Sequence, residues 1–109
     1  MYMLKKNKEF KKVYSTGESR ATANLVLYTK PNNLAENRYG FSISKKIGKA
    51  VIRNKLRRRL REILRLNDAK IKKGYDLIFI ARKAVVELDY KKLERNVYKL
   101  LQKAGIWGN

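Results

Sequence analysis

Apolar and polar residues alternate along this chain on two periods, one near 3.6 and one near 2. The switches between the two outline its elements. Phe10, Val13 and Tyr14 recur at i, i+3 and i+4, which puts them on one face of a short helix over residues 7–14. Asn7 stands where a cap belongs, Glu9 falls in the first turn, and Gly17 follows the end. Residues 23–29 contain LVLYT, a β-branched and aromatic run that predicts a strand. Leu25, Leu27 and Thr29 share one face of it, and Val26 and Tyr28 the other. The following KPNNLAEN is rich in turn formers. Residues 38–44 then alternate, with Tyr39, Phe41 and Ile43 on one side and Gly40, Ser42 and Ser44 on the other. This second strand is expected to pair with the first as a hairpin. Its small polar side leaves room for close approach, or simply faces solvent.

A basic loop with one glycine, KKIGK, leads into a long helix over residues 50–66. Ile52, Leu56, Leu60, Ile63 and Leu64 form its apolar stripe. Arg59 falls inside that stripe, a misfit that a long side chain can relieve by reaching for solvent. Residues 67–74 are a polar connection. YDLIFIAR follows, and its unbroken Leu77-Ile78-Phe79-Ile80 predicts a strand covered on both faces. Asp89 is placed to cap a last helix to about residue 104, with Tyr90, Leu93, Val97, Leu100, Leu101 and Ala104 inward and Gly105 as its stop. The fold class is α+β. The pattern predicts an α/β sandwich with one mixed sheet of about four strands and three helices, in the order α-β-β-α-β-α, with room for an extra short strand.

Composition narrows the chemistry. The 109 residues include 28 Lys or Arg and 9 Asp or Glu, no His and no Cys, for a net charge of +19. This length suits one domain, residues 1–109. Without Cys or His there is no disulfide framework, no ordinary zinc site, no thiol nucleophile and no Ser-His-Asp triad. The nine acids are scattered, which disfavours a two-metal nuclease centre. No catalytic residue and no protein-bound metal is therefore expected. The N-terminus lacks a signal peptide's apolar segment, no run is long enough for a membrane span, and the expected location is the cytoplasm. No obligate protein partner is evident.

A charge of this size calls for a polyanion. It is concentrated: residues 45–65 hold ten Lys or Arg and one acid, Glu62. Arg53, Arg57, Arg61 and Arg65 repeat an i, i+4 spacing at which like charges repel by roughly 0.2–0.5 kcal/mol per pair. A ligand that neutralises them offsets that cost. The planar Arg fork suits phosphate. An anionic membrane is disfavoured, because the apolar stripe is needed for the sheet and carries no aromatic residue. Residue types alone leave DNA and RNA both open, though Phe10, Tyr14 and Tyr28 are candidates for a platform that stacks unpaired bases.

The ordered run from Phe41 to Glu62 is more specific. Lys45-Lys46, Gly48, Ala50-Val51, Arg53-Asn54, Arg57-Arg58 and Arg61-Glu62 closely resemble the signature of the bacterial ribonuclease P protein subunit, with its arginine-rich helix. EFKKVYSTG, LVLYT and YDLIFIAR resemble the family's first helix, core strand and later strand. The resemblance implies a protein that assists a catalytic RNA in removing the 5′ leader of precursor tRNA, with Mg²⁺ bound mainly by that RNA. Its implied partners are the ribonuclease P RNA and precursor tRNA. By the same resemblance, Lys45, Lys46, Lys49, Arg53, Asn54, Lys55, Arg57, Arg58, Arg61 and Arg65 would contact RNA. Phe10, Tyr14, Tyr28, Ser42 and Ser44 would line the leader cleft. A left-handed crossover through the arginine-rich helix is also implied, as is an apolar residue where this chain has Arg59. The alternative reading is a ribosomal- or nucleoid-type nucleic-acid-binding module with no role in tRNA processing.

Overall fold

A computed structural model describes residues 1–108. Five strands, β1 (Tyr2–Met3), β2 (Glu18–Ala21), β3 (Leu25–Pro31), β4 (Arg38–Ser42) and β5 (Tyr75–Ala81), form one sheet in the order β1-β4-β5-β3-β2. Three helices, α1 (Asn7–Thr16), α2 (Ala50–Asn67) and α3 (Tyr90–Lys103), complete the fold. The alternation along β5 explains the layering. Leu77 and Phe79 join Leu25, Leu27 and Tyr39 beneath α2 and α3 in the main core. Ile78 and Ile80 point the other way, where Leu4, Val13, Phe10, Tyr14 and Tyr28 gather under α1. A strand apolar on both faces thus ends between two layers, as its sequence predicts.

The expected hairpin does not form. β3 pairs antiparallel with β5, β4 pairs parallel with β5, and β5 separates the two. The reason is burial. A continuously apolar strand is best covered at the centre of the sheet, and the β3–β4 connection is long enough to step across one intervening strand. Asn32 anchors that connection, donating to the Glu36 carbonyl at 3.1 Å and to Asp76 Oδ1 at 3.0 Å. β4 and β5 are in turn joined through α2, which gives the parallel pair its helical crossover. The sheet also gains β2, whose ESRA carries no apolar alternation. It pairs with β3 at the exposed edge, Glu18 opposite Thr29 through Ala21 opposite Val26.

Helix starts show two further departures. Lys6, rather than Asn7, occupies the N-cap of α1. The Glu9 carboxylate supplies the missing acceptor, taking the N–H groups of Lys5 at 3.1 Å and Lys6 at 3.0 Å. In α2, Leu56, Leu60, Ile63 and Leu64 are buried, but Ile52 is 42% exposed. Ile52 lies against Gly48 and lines an open hollow instead of joining the buried core. At α3 the expectation holds: the Asp89 carboxylate accepts the Lys92 N–H at 2.8 Å.

The connection after α2 is pinned from the core. The buried Tyr39 hydroxyl donates to the Asp68 carboxylate, and Lys73 pairs with the same group. Burial pushes the Asp68 carboxyl up, but the Lys73 and Tyr39 hydrogen bonds outweigh it and hold it below its ordinary 3.8. The backbone N–H groups of Lys6 and Lys5 likewise hold Glu9 below its ordinary 4.5. Both carboxylates titrate lower when folded, so the stability they contribute is complete above those ordinary values and is lost as pH falls through the folded ones. Urea midpoints should therefore fall between neutral pH and about pH 3, with a shallower fall in Asp68→Asn.

Candidate nucleic-acid interface

One ion-pair cluster fixes α1 against the sheet. Arg38 and Asp76 are opposite one another in the β4–β5 register. The guanidinium grips Asp76 with two bonds, Nε to Oδ1 at 2.8 Å and Nη2 to Oδ2 at 2.7 Å. Its third nitrogen reaches Glu9 Oε2 at 3.1 Å. Glu9 in turn holds the amides that open α1, so one arginine ties the helix start to the middle of the sheet.

That attachment positions Phe10, the next residue. Its ring lies over Gly40, where an added Cβ would sit 2.7 Å from the ring edge. The small residue on the polar side of β4 is therefore a seat for an aromatic ring, which settles the close-approach reading of Gly40. Phe10 meets Tyr14 edge-on at 6.3 Å, and Tyr14 meets Tyr28 edge-on at 5.1 Å. Beside this row runs an open groove of about 600 Å³. Phe10, Tyr14 and Ser42 line it, as expected for the cleft, together with Lys5, Lys11 and Arg57. Tyr28 supports Tyr14 from the small core under α1 and is not part of the lining. Ser44 is exposed ahead of the turn that precedes α2, also outside the lining. Lys5 and Lys11, which the apolar periodicity of α1 does not single out, set two cations beside these rings.

The basic loop forms a short 3₁₀ turn, Lys45–Ile47, ending at Gly48 with φ +156°. Its carbonyl accepts Arg53 Nε at 3.1 Å, which half-buries that arginine against the loop. Lys45, Lys46, Lys49, Asn54, Lys55, Arg57, Arg58 and Arg61 are all exposed. Asn54 orients Arg57, accepting its Nη1 at 3.0 Å. Arg65 differs: Glu62 holds it at 2.7 Å, and the hydrogen bond to that carboxylate raises it. The predicted basic residues also diverge in space. Arg57 reaches the aromatic groove, whereas Lys55 turns toward another hollow beside Arg59 and Val86.

Glu9, Asp68 and Asp76 are engaged in holding the fold, and among the described residues no three His, Cys, Asp or Glu gather as a metal-binding group. No helix among the described residues is long and apolar enough to cross a membrane.

The arrangement is a strongly basic helix whose Arg57 reaches an aromatic groove. The Ribonuclease P family model matches residues 1–105. The chain belongs to the ribonuclease P family. It is 50% identical over 104 residues to the ribonuclease P protein component of Thermoanaerobacter sp. strain X514, covering 95% of this chain and 90% of that protein. It is 50% identical over 105 residues to that of Clostridium botulinum strain Langeland, covering 95% of each. The RNase P protein structure from Staphylococcus aureus superposes with a TM-score of 0.93 at 33% identity, over 99% of both chains. The Thermotoga maritima RNase P protein gives 0.87 at 31% identity, covering 94% of this chain and 97% of that one. The chain is thus the protein subunit of the ribonuclease P endoribonuclease, which processes the 5′ end of tRNA.

In a ribonuclease P protein built this way, Arg38→Met should loosen α1 without disturbing α2. Asp76, 8% exposed, would lose its partner, and Arg38 is a third exposed, so the loss should be about 1–2 kcal/mol. Urea unfolding checks the loss, and faster amide exchange confined to α1 checks the location.

Proposed function

We propose that the 45–65 segment binds the catalytic RNA of ribonuclease P and that the groove under α1 receives the single-stranded 5′ leader of precursor tRNA. Mg²⁺ and the hydrolytic chemistry belong to the RNA. The observation that carries this reading is Arg57: it extends from the basic face of α2 into the groove lined by Phe10 and Tyr14. One continuous surface therefore offers phosphate contacts along the helix and ring faces beside it. Phosphate contacts fix position without reading sequence, and stacking accepts any base, so leader binding is sequence-tolerant. The protein's part is to neutralise phosphate crowding where two RNAs meet and to hold the leader extended. It acts where RNA is made and matured, in the cytoplasm.

The direct test is reconstitution. Adding the purified chain to a bacterial ribonuclease P RNA at low Mg²⁺ should accelerate cleavage of precursor tRNA, and no acceleration would sink the reading. Arg57→Ala with Arg61→Ala should weaken binding of the catalytic RNA and flatten its salt dependence by about one phosphate per arginine. Phe10→Ala with Tyr14→Ala should weaken precursor binding by about ten-fold or more, at roughly 1–3 kcal/mol per stacked base, and spare mature tRNA. Equal losses for precursor and mature tRNA would remove the groove from the account.

A further inference from the structure

The hollow beside Arg59 has no role in the account so far. It holds about 390 Å³ between the first turns of α2 and the segment leading into α3, within the range of small-molecule sites. Ile52, Val85 and Val86 give it apolar surface, Lys55 and Arg59 form the α2 wall, and Asp89 stands on the α3 side. Its rim is unusual for so charged a protein. Ile52 is 42% exposed and Val86 52%. A chain at +19 gains solubility from its charges and nothing from these two, so an apolar rim points to something that covers it.

The surrounding charge decides what kind of ligand fits. Lys55 and Arg59 have no acidic partner among the described residues. They belong to the same helix that presents Arg57, Arg58 and Arg61. A phosphate seated inside the hollow would meet the Asp89 carboxylate as well as apolar walls. An uncharged, planar, apolar-faced group whose own chain carries phosphates past Lys55 meets neither objection. Arg59 then has a purpose: a guanidinium plane beside an apolar floor is a stacking surface for a base. It also explains why an arginine interrupts an otherwise apolar stripe.

We propose that this hollow is a socket for one unstacked nucleobase of the catalytic RNA, held between Arg59 and the Ile52–Val86 surface while Lys55 takes a neighbouring phosphate. The socket lies apart from the leader groove and rests on the reading that α2 binds the catalytic RNA.

An apolar contact and an ionic one differ in their salt signature, and the test uses that. Ile52→Ser with Val86→Ser changes two exposed residues and should leave the urea midpoint unchanged. It should weaken catalytic-RNA binding on the order of ten-fold with the salt slope unaltered. Arg59→Lys keeps the charge, loses the plane, and should show the same pattern. Ile52→Val with Val86→Ile should bind as the parent does. Base-specific chemical probing of the RNA in the reconstituted complex should reveal one unpaired base protected by the parent and exposed again with the Ser variant. Unchanged affinity in the Ser variant would overturn the socket, as would a loss accompanied by a flatter salt slope or no base regaining exposure. If Arg57→Ala with Arg61→Ala also leaves RNA affinity untouched, the reading of α2 itself falls, and the socket with it.

Discussion

Burial of β5 on both faces is the constraint from which the rest of this fold follows. Leu77 and Phe79 require one apolar layer, Ile78 and Ile80 another, and a single sheet satisfies both only with helices on each side. α2 and α3 provide the large layer, and α1 the small one. The smaller layer is thin enough to leave an open groove, and its rings are also the groove's wall. Phe10 and Tyr14 thus serve the small core and the groove wall at once, with Tyr28 packed behind Tyr14.

Charge is divided between two tasks. Most of the acids have partners within the protein: Glu9 and Asp76 on Arg38, Asp68 and Glu36 on Lys73, Glu62 on Arg65, Asp89 on a helix amide. With only nine acids against 28 cations, the surface is left predominantly cationic. Along α2 this leaves Arg57, Arg58 and Arg61 exposed without acidic partners among the described residues, an arrangement of mutually repelling charges.

Several features were legible before any coordinates. The helical stripes, the two-faced character of LIFI, the Asp89 cap and the arginine cluster each depend on residues close in sequence. Other features were hidden for a common reason. Strand order depends on which strand most needs the centre of the sheet, so β5 displaced β4 from the side of β3. β2 has no apolar alternation because an edge strand can be held by its backbone. Ile52 fits the stripe by periodicity, and only the open hollow beside it leaves it exposed. Glu9 was visible as a first-turn acid, but its bond to Arg38 joins residues 29 apart.

The sequence by itself determined the three helices, the three longer strands and the family, and it concentrated the charge on one segment. Periodicity, charge density and motif order are local properties, and local properties survive without a fold. Tertiary structure decided what those elements do together. It set Phe10 over Gly40, turned Arg57 toward the aromatic groove and Lys55 away from it, left Tyr28 behind Tyr14, and placed Arg59 beside exposed apolar residues from a segment nearly thirty positions later. Each of these depends on which surfaces meet across the sheet, and that is settled by burying β5, not by any single stretch of chain.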